Sequence, residues 1–162
     1  MASFELEKHA FFWLTQVIAS RDRRLAEALD GHRLRAPEWR VLATLHARQR
    51  CSMSELADLA SIERSTLTRI VDRMQQAGWV TRLSDADDMR VTRLAPTASG
   101  EKLFARVWPA VEELNIAALA GLPEGAADLM RWTLQRMQAN LDTELAGKGA
   151  RLKRDNVELR QV

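Results

Sequence analysis

The sequence predicts a mainly α-helical fold with one small β-hairpin, and three observations support that prediction. Prolines and glycines are few, four and seven in 162 residues, so long helices are possible. Apolar residues recur at spacings of three, four and seven over most of the chain, as they do on one face of a helix. Only residues 79–83 and 90–94 alternate with the period of a strand, and the segment between them is rich in turn-forming residues.

Capping and periodicity signals delimit the first four helices. The first, residues 5–29, carries an apolar stripe at intervals of seven: Phe4, Phe11, Ile18 and Leu25. Pro37 suits the first turn of the second helix. Ser54 suits the N-cap of the third helix. The fourth begins near Arg64, and Gly78 is expected just after its end.

Two further helices follow the hairpin. Thr97 suits the N-cap of the fifth helix, in which Pro109 removes one backbone hydrogen bond and is expected to cause a kink. The sixth helix is expected over residues 123–146, after a Gly-Leu-Pro break. The tail, residues 147–162, is basic and low in apolar content, so we expect it to be disordered.

The first, fifth and sixth helices are long and apolar on more than one side. A monomer would struggle to cover that much apolar surface, which indicates a homodimer. We therefore assign residues 1–36 and 97–146 to dimerisation and residues 37–96 to a separate lobe.

Composition and motifs exclude several classes of protein. No apolar run approaches a membrane span and no signal-like segment opens the chain, so we expect a cytoplasmic protein without a membrane partner. The single cysteine, Cys51, excludes an internal disulfide. No HExxH, glycine-rich phosphate loop or GxSxG pattern is present, so we assign no catalytic residue. The histidines and Cys51 lack the spacing of metal ligands, so we predict no metal and no cofactor.

The third and fourth helices are separated by about three residues, which is typical of a helix-turn-helix. The fourth helix carries basic and hydroxyl side chains on the side away from its apolar stripe. Residues near the start of such a helix reach base edges of DNA, and later ones meet phosphates. The predicted DNA contacts are Arg64, Ser65, Thr66, Thr68, Arg69 and Arg73 of the helix and Arg82 and Arg90 of the hairpin. For Arg73 and Arg82, an intramolecular ion pair is the alternative.

Three blocks of sequence resemble the MarR family of winged helix-turn-helix regulators: WRVLATL, MSELADLASIERSTLTRIVDRMQQAGWVTR and DADDMRVTRLAPTASGEKL. The wing signature of that family, D-x-R-x-x-x-L-x-L-T, is matched at Asp88, Arg90, Leu94 and Thr97, with Pro96 in place of the second leucine. The resemblance covers roughly residues 5–146.

The resemblance implies a homodimer that binds double-stranded, pseudo-palindromic operator DNA, most often as a repressor. It implies that Arg90 of the wing reaches the minor groove and that Asp88 orients the hairpin. By its position, Asp72 is expected to pair with an arginine such as Arg73 or Arg90.

A small organic effector is also implied, because phenolic or carboxylate ligands often bind between the dimer helices and the DNA-binding lobe in this family. One face of the first helix combines an indole with polar groups, and two side chains of the second helix are expected to join it. The predicted effector residues are His9, Trp13, Gln16, Ser20, Trp39 and His46. The alternative is that the tryptophans belong to the core and His9 to the dimer interface.

Two other functions are left open. Arg48 and Arg50 precede Cys51 and are expected to lower the pKa of its thiol, which would suit a redox-responsive regulator, although a structural thiol is the simpler interpretation. A winged helix can also serve as a protein–protein docking module or coat DNA without sequence preference. The Ser/Thr/Arg face disfavours docking, and the net charge of only +2 disfavours coating.

Overall fold

The computed structural model describes residues 5–84 and 92–158, with side chains as far as residue 144. Within these residues lie six α-helices, three β-strands and two short 3-10 turns, Leu6–Lys8 and Asp30–His32. In chain order the elements are α1 (Ala10–Leu29), α2 (Ala36–Arg48), β1 (Cys51–Ser52), α3 (Met53–Ala60), α4 (Arg64–Gln76), β2 (Val80–Ser84), β3 (Thr92–Pro96), α5 (Ala98–Leu119) and α6 (Ala126–Glu158). The predicted mainly α fold with a small hairpin is confirmed.

Helix α1 starts later than predicted. His9 has an extended backbone and separates the first 3-10 turn from the helix. The indole Nε1 of Trp13 donates to the carbonyl oxygen of Glu7 at 2.8 Å, so this carbonyl has a side-chain partner. Leu6 is exposed, so no apolar packing favours extending the helix toward the N-terminus.

Helix α2 begins as predicted, with Pro37 in its first turn. The predicted cap of α3 is wrong by two residues, because Ser52 rather than Ser54 occupies the N-cap. Ser52 accepts a hydrogen bond from the Glu55 amide, and the Glu55 carboxylate accepts one from the Ser52 amide at 2.7 Å. This reciprocal capping box satisfies two donors, whereas a cap at Ser54 would satisfy one.

Helix α4 ends as predicted, at a glycine. Gly78 has a φ of +74°, and its amide donates to Gln75 while the amide of Trp79 donates to Met74. This pair of bonds is the Schellman arrangement, which satisfies carbonyl groups at the end of a helix.

The strands form one antiparallel sheet in the order β1-β3-β2. The hairpin register pairs Arg82 with Leu94 and Val80 with Pro96, so the strands lie one to two residues later than predicted. Strand β1 was not predicted, because two residues are too short to show alternation. It pairs Cys51 with Leu94 and so joins the start of α3 to the hairpin.

Thr97 caps α5 as predicted, since its hydroxyl accepts a hydrogen bond from the Gly100 amide at 3.1 Å. Gly100 lies against the backbone of Trp79, so a Cβ at position 100 would lie 2.2 Å from the Trp79 carbonyl oxygen. Pro109 lies within α5, and the kink expected there stays a prediction.

Helix α6 differs from its prediction at both ends. It begins at Ala126 rather than at residue 123, because Gly125 has a φ of +77°, which is incompatible with a helix. It continues to Glu158, so the prediction that the tail is disordered is wrong up to that residue. Alanine, arginine, lysine and glutamate favour a helix whether or not an apolar face is present.

One hydrophobic core contains buried side chains from α1 to α5 and from all three strands. The end of α1 contributes Leu25 and Leu29, and α5 contributes Leu103, Val107 and Val111. The chain divides into two compact units between Ala117 and Ala118, and no residue of α6 up to residue 144 is buried. None of the helices within the described residues combines the length and apolar character of a membrane span.

Candidate nucleic-acid interface

The helix-turn-helix predicted from the sequence is present in α3 and α4. The chain turns between them at Ser61, whose backbone is left-handed, and the Ile62 amide donates to the Ala57 carbonyl at 3.0 Å. Ile62 is buried with side chains from both helices, including Leu56 and Leu67. This small shared core fixes α4 relative to α3.

The exposed face of α4 carries the side chains predicted to read DNA. Its apolar stripe is buried in the core: Leu67, Ile70, Val71 and Met74. The opposite side exposes Arg64, Ser65, Thr66, Thr68 and Arg69. Arg64 donates to the hydroxyl of Ser54 on α3 at 2.5 Å, whereas Arg69 forms no ion pair with another described residue. A row of guanidinium and hydroxyl groups along one helix face is suited to base edges and phosphates.

Glu63 caps α4, a role that was not predicted. Its Oε2 atom accepts hydrogen bonds from the amides of Ser65 and Thr66, at 3.0 and 3.1 Å, and from the Ser65 hydroxyl. These bonds, that of the hydroxyl first, lower the pKa of the Glu63 carboxyl. The signal in the sequence was an acidic residue directly before the first turn, although glutamate is not among the preferred N-cap residues.

Arg73 forms an ion pair with a buried carboxylate. Its Nε lies 2.6 Å from Oε1 of Glu38 on α2, and Oε2 of Glu38 accepts a hydrogen bond from the Arg35 amide at 2.7 Å. The Glu38 side chain is 3% exposed, whereas that of Arg73 is 47% exposed. The intramolecular alternative stated for Arg73 is therefore present, while the outer part of its side chain remains accessible.

Arg82 also forms an intramolecular ion pair. Its Nη2 lies 2.6 Å from Oδ1 of Asp72. The sequence suggested Arg73 or Arg90 as the partner of Asp72, but Arg73 pairs with Glu38 instead, and Arg90 lies outside the described residues. On the other side of the sheet, Arg93 of β3 lies 2.9 Å from Oε2 of Glu55. The two strands of the wing are thus each joined by an ion pair to one helix of the helix-turn-helix. The other predicted wing residues, Asp88 and Arg90, lie outside the described residues.

Cys51 is buried in β1, beside the hairpin. Burial, and next the charge of Glu55, raise the pKa of its thiol, and this outweighs the opposing effects of Arg93 and Arg48. Arg48 lowers this pKa as expected, but the expected net decrease is wrong, because the effect of withdrawing the thiol from water is larger.

Trp39 and His46, both predicted effector residues, lie in one aromatic stack. Phe104 of α5 stacks on Trp39 with a centroid distance of 5.2 Å, on His46 at 3.7 Å and on Trp108 at 5.7 Å. His46 Nδ1 also lies 2.6 Å from Oε2 of Glu101. Phe104 and Glu101 were not predicted as site residues. Both lie within two residues of Leu103, which belongs to the apolar pattern of the fifth helix.

The predicted effector residues of the first helical segment lie on an exposed surface: His9, Trp13, Gln16 and Ser20. The Trp13 ring contacts Phe12 edge-on, and Arg23 donates to the Ser20 hydroxyl at 3.2 Å. None of the described hydrogen bonds or ring contacts of Trp13, Gln16 and Ser20 reaches Trp39 or His46. The structure thus brings the two residues of α2 into one stack, and the described contacts do not join that stack to Trp13, Gln16 or Ser20.

A cavity between α1 and α5 contains none of the predicted effector residues. Its volume is about 430 Å³, and its lining is Arg24, Glu27, Ala28, Ala110, Glu113, Leu114 and Ala117. Among residues 5–84 and 92–144, no three His, Cys, Asp or Glu side chains are grouped as metal ligands.

Comparison with known proteins identifies what this arrangement resembles. A family model described as the MarR family matches residues 34–92. The HTH-type transcriptional repressor IacR of Pseudomonas putida is 31% identical over 140 residues, which cover 86% of this chain and 84% of that protein.

Solved structures resemble the fold over most of its length. A MarR-family transcriptional regulator from Silicibacter pomeroyi matches with a TM-score of 0.77 and 26% identity, over 86% of this chain and 94% of that one. NadR in complex with 4-hydroxyphenylacetate matches with a TM-score of 0.75 and 28% identity, over 85% of this chain and 97% of that one.

Proposed function

The chain belongs to the MarR family of transcriptional regulators, and on that premise we propose that it is a repressor released from its operator by a small aromatic acid. The homodimer binds double-stranded, pseudo-palindromic DNA in the cytoplasm and catalyses no reaction. The repressor role is supported by IacR, a repressor that matches most of this chain.

The exposed start of α4 is the observation on which the DNA-binding proposal rests. Arg64, Ser65, Thr68 and Arg69 face solvent there, on a helix whose other side is fixed in the core. The second helix of a helix-turn-helix places its N-terminal residues against base edges in the major groove. We assign base contacts to Thr68 and Arg69, because Arg69 has no ion pair within the described part of the chain.

The remaining arginines are assigned to phosphates. Arg73 is held by Glu38 through Nε, which leaves its terminal nitrogens on the accessible side. Arg82 stays with Asp72 in free protein, so a phosphate must compete with that carboxylate. Arg90 is assigned to the minor groove, and Asp88 to orientation of the wing, from the family resemblance.

The dimer is supported by apolar side chains that one chain leaves exposed. They lie on all three outer helices: Phe11, Trp13, Val17 and Ile18 of α1, Ile116 and Leu119 of α5, and Leu129, Met130, Trp132, Leu134 and Leu141 of α6. We expect an interface above roughly 2,000 Å², the range of obligate homodimers. As predicted from the sequence, we assign DNA binding to residues 37–96 and dimerisation to residues 1–36 and 97–146.

The effector class is supported by NadR, which was solved with 4-hydroxyphenylacetate, a phenolic carboxylate. The half-buried rings of Phe104 and His46, with Phe104 packed on the buried Trp39, offer a flat apolar surface beside a histidine that can donate to an acid or a phenol. We assign the ligand to the exposed side of this stack, and His9, Trp13, Gln16 and Ser20 to the opposite wall.

The redox alternative is weakened by the burial of Cys51. A reactive thiol needs a low pKa and access to oxidant, and burial opposes both. Docking to another protein remains a second candidate for the exposed face of α4.

Fluorescence anisotropy with the promoter region beside the gene of this protein tests the DNA-binding proposal. We expect Arg69→Ala and Thr68→Ala to reduce preference for the operator over mixed-sequence DNA. Arg73→Ala and Arg90→Ala are expected to weaken both complexes alike and to flatten the salt slope by about one unit each. Arg106→Ala, which removes an exposed arginine of α5, is the control and is expected to change neither. Equal binding of all variants to every DNA would refute the assignment.

Tryptophan fluorescence during titration with 4-hydroxyphenylacetate tests the effector proposal. We expect a signal change that Trp39→Phe and Trp13→Phe each reduce and that Trp132→Phe of α6 leaves intact. Because ligand and DNA favour different conformations in this proposal, the ligand is expected to weaken the operator complex by about 1–3 kcal/mol, or roughly 5–150-fold in affinity. If both variants kept the full signal, or if the ligand released no DNA, the site would be wrongly assigned.

A further inference from the structure

The carboxylate of Glu63 lies at the start of α4, and within the described residues only one of its two oxygens accepts hydrogen bonds. All three of its hydrogen bonds, from the amides of Ser65 and Thr66 and from the Ser65 hydroxyl, end on Oε2. Oε1 accepts no hydrogen bond from another residue in the described part of the chain. The cap therefore holds the side chain in place and leaves Oε1 able to accept a further hydrogen bond, while the nearby charge of Arg69 also stabilises the ionised carboxylate.

This acceptor keeps its charge at neutral pH. The Ser65 hydroxyl, followed by the amides of Ser65 and Thr66, lowers the pKa of the Glu63 carboxyl. An ionised carboxylate only accepts hydrogen bonds, and it repels any group that also only accepts.

The location of Glu63 determines what that acceptor meets. This step rests on the proposed function, in which the N-terminal residues of α4 lie against base edges in the major groove. Cytosine presents an N4 amino donor there, whereas guanine presents the acceptors O6 and N7 and thymine presents O4. Adenine presents a donor at N6 but also an acceptor at N7, which repels a carboxylate.

We propose that Glu63 is a specificity-determining residue that selects cytosine at one position of each operator half-site. Its Oε1 accepts a hydrogen bond from cytosine N4, and its negative charge rejects guanine and thymine. The same charge opposes the DNA backbone, so Glu63 weakens binding to every sequence that lacks the cytosine. It acts by discrimination rather than by added affinity.

Two substitutions separate the cap from the reading role. Glu63→Gln keeps an oxygen that can accept the bonds from Ser65 and Thr66, but it removes the charge and adds a donor. Glutamine pairs with N6 and N7 of adenine, so this variant is expected to prefer adenine or lose preference at that position. Glu63→Asp keeps both cap and charge on a shorter side chain, and it is expected to weaken the preference for cytosine without changing the preferred base.

Asp58→Asn is the matched control. Asp58 is an exposed carboxylate on α3, and it forms no ion pair with another described residue. Its neutralisation changes the net charge of the protein by the same amount as Glu63→Gln. We expect it to leave the base preference unchanged.

The experiment is selection of bound duplexes from a library with randomised half-sites, using full-length wild type and the three variants. We expect wild type to enrich cytosine at one position of each half-site by about tenfold, Glu63→Gln to abolish that enrichment, and Asp58→Asn to retain it. Glu63→Gln should also bind mixed-sequence DNA several-fold more tightly.

A second measurement uses wild type alone, so that it stands even if a variant fails to fold. N4-methylcytosine at the enriched position keeps the Watson–Crick pair but replaces the major-groove amino hydrogen with a methyl group, and it should reduce affinity about tenfold. Retention of the cytosine preference by folded Glu63→Gln, or unchanged affinity for the modified operator, would overturn the proposal. Absence of any sequence preference in wild type would instead refute the proposed function.

Discussion

Helices α4 and α6 both carry apolar side chains at helical spacing, yet the chain covers only those of α4. In α4 the four apolar positions that face inward are all buried. In α6, Leu129 is 64% exposed and Trp132 is 60% exposed, and no described side chain is buried. The same kind of pattern therefore has two outcomes within one chain.

The difference follows from how each helix is connected and how long it is. Helix α4 lies between a turn of three residues and a tight glycine end, so it must lie against α3 and the hairpin. Helix α6 has 33 residues, about 50 Å at 1.5 Å per residue, which is too long for a small lobe to cover. An apolar stripe thus predicts burial, but it does not predict whether the cover comes from the same chain.

The largest expected effect comes from placing a charge on α6. Met130, Leu134, Met137 and Leu141 share one face of that helix. We expect Leu134→Glu to convert a dimer into an 18.3 kDa monomer and to weaken operator binding about 1,000-fold, because two linked half-site contacts become independent. Gln135→Glu adds the same charge on another face of α6 and should leave both the dimer and the operator affinity unchanged. Sedimentation at micromolar concentration measures the mass, and a wild type that sediments only as a monomer would contradict the comparison.

Adding a methyl group inside the packed lobe is expected to have the next largest effect. A Cβ at Gly100 would lie 2.2 Å from the Trp79 carbonyl oxygen, and backbone cannot move aside as a side chain can. We expect Gly100→Ala to lower the free energy of unfolding by about 3 kcal/mol in urea denaturation. At Gly31 a Cβ would have no neighbour within 4 Å, so Gly31→Ala should be neutral or slightly stabilising. Equal stability of the two variants would show that α5 does not depend on this close approach.

The ion pairs Arg73–Glu38 and Arg82–Asp72 should differ in how much each contributes to the free energy of unfolding. Arg73→Met leaves the carboxylate of Glu38 buried without its partner, so we expect a loss of about 2 kcal/mol, reduced from the fully buried case because Arg73 is half exposed. Arg82→Met leaves Asp72 in contact with water, and a loss below about 1 kcal/mol is expected.

Urea denaturation of both variants, with the double variant Glu38→Gln/Arg73→Met, measures this difference. The double variant should recover part of the loss, because no uncompensated carboxylate remains in the core. A larger loss from Arg82→Met than from Arg73→Met would reverse our ranking of the two contacts.

The smallest expected effect is the pH dependence caused by Cys51. Because burial raises the pKa of the folded thiol, the unfolded chain ionises at lower pH than the folded chain. The stabilising contribution of the neutral thiol is therefore present below the unfolded pKa, about 8.5, and is lost as the pH rises toward the folded pKa. Wild type should lose stability relative to Cys51→Ala between pH 8 and 10, and a constant difference over that range would indicate an exposed thiol.

Sequence patterns predicted in detail which side chains α4 buries and which it exposes, since alternation of buried and exposed positions on a helix follows from its period alone. The same reasoning located the hairpin to within two residues. It missed strand β1, because Cys51 and Ser52 pair with β3 through backbone groups and leave no side-chain pattern. It also placed the cap of α3 at Ser54 rather than Ser52, because the reciprocal hydrogen bonds between Ser52 and Glu55 were not predicted.

What the sequence by itself determined are local properties: the helix periods, the caps at Thr97 and Gly78, the helix-turn-helix and the membership of the family. The helix periods, the caps and the turn depend on residues within a few positions of one another, and the family membership depends on motifs that follow one another along the chain. Only the tertiary structure decided that Arg73 meets Glu38, that Arg82 meets Asp72, and that Phe104 stacks on both Trp39 and His46. Each of those contacts needs two side chains from different elements at distances of a few ångströms. Many arginines and acids in this chain have the right chemistry, and packing alone selects which of them come together.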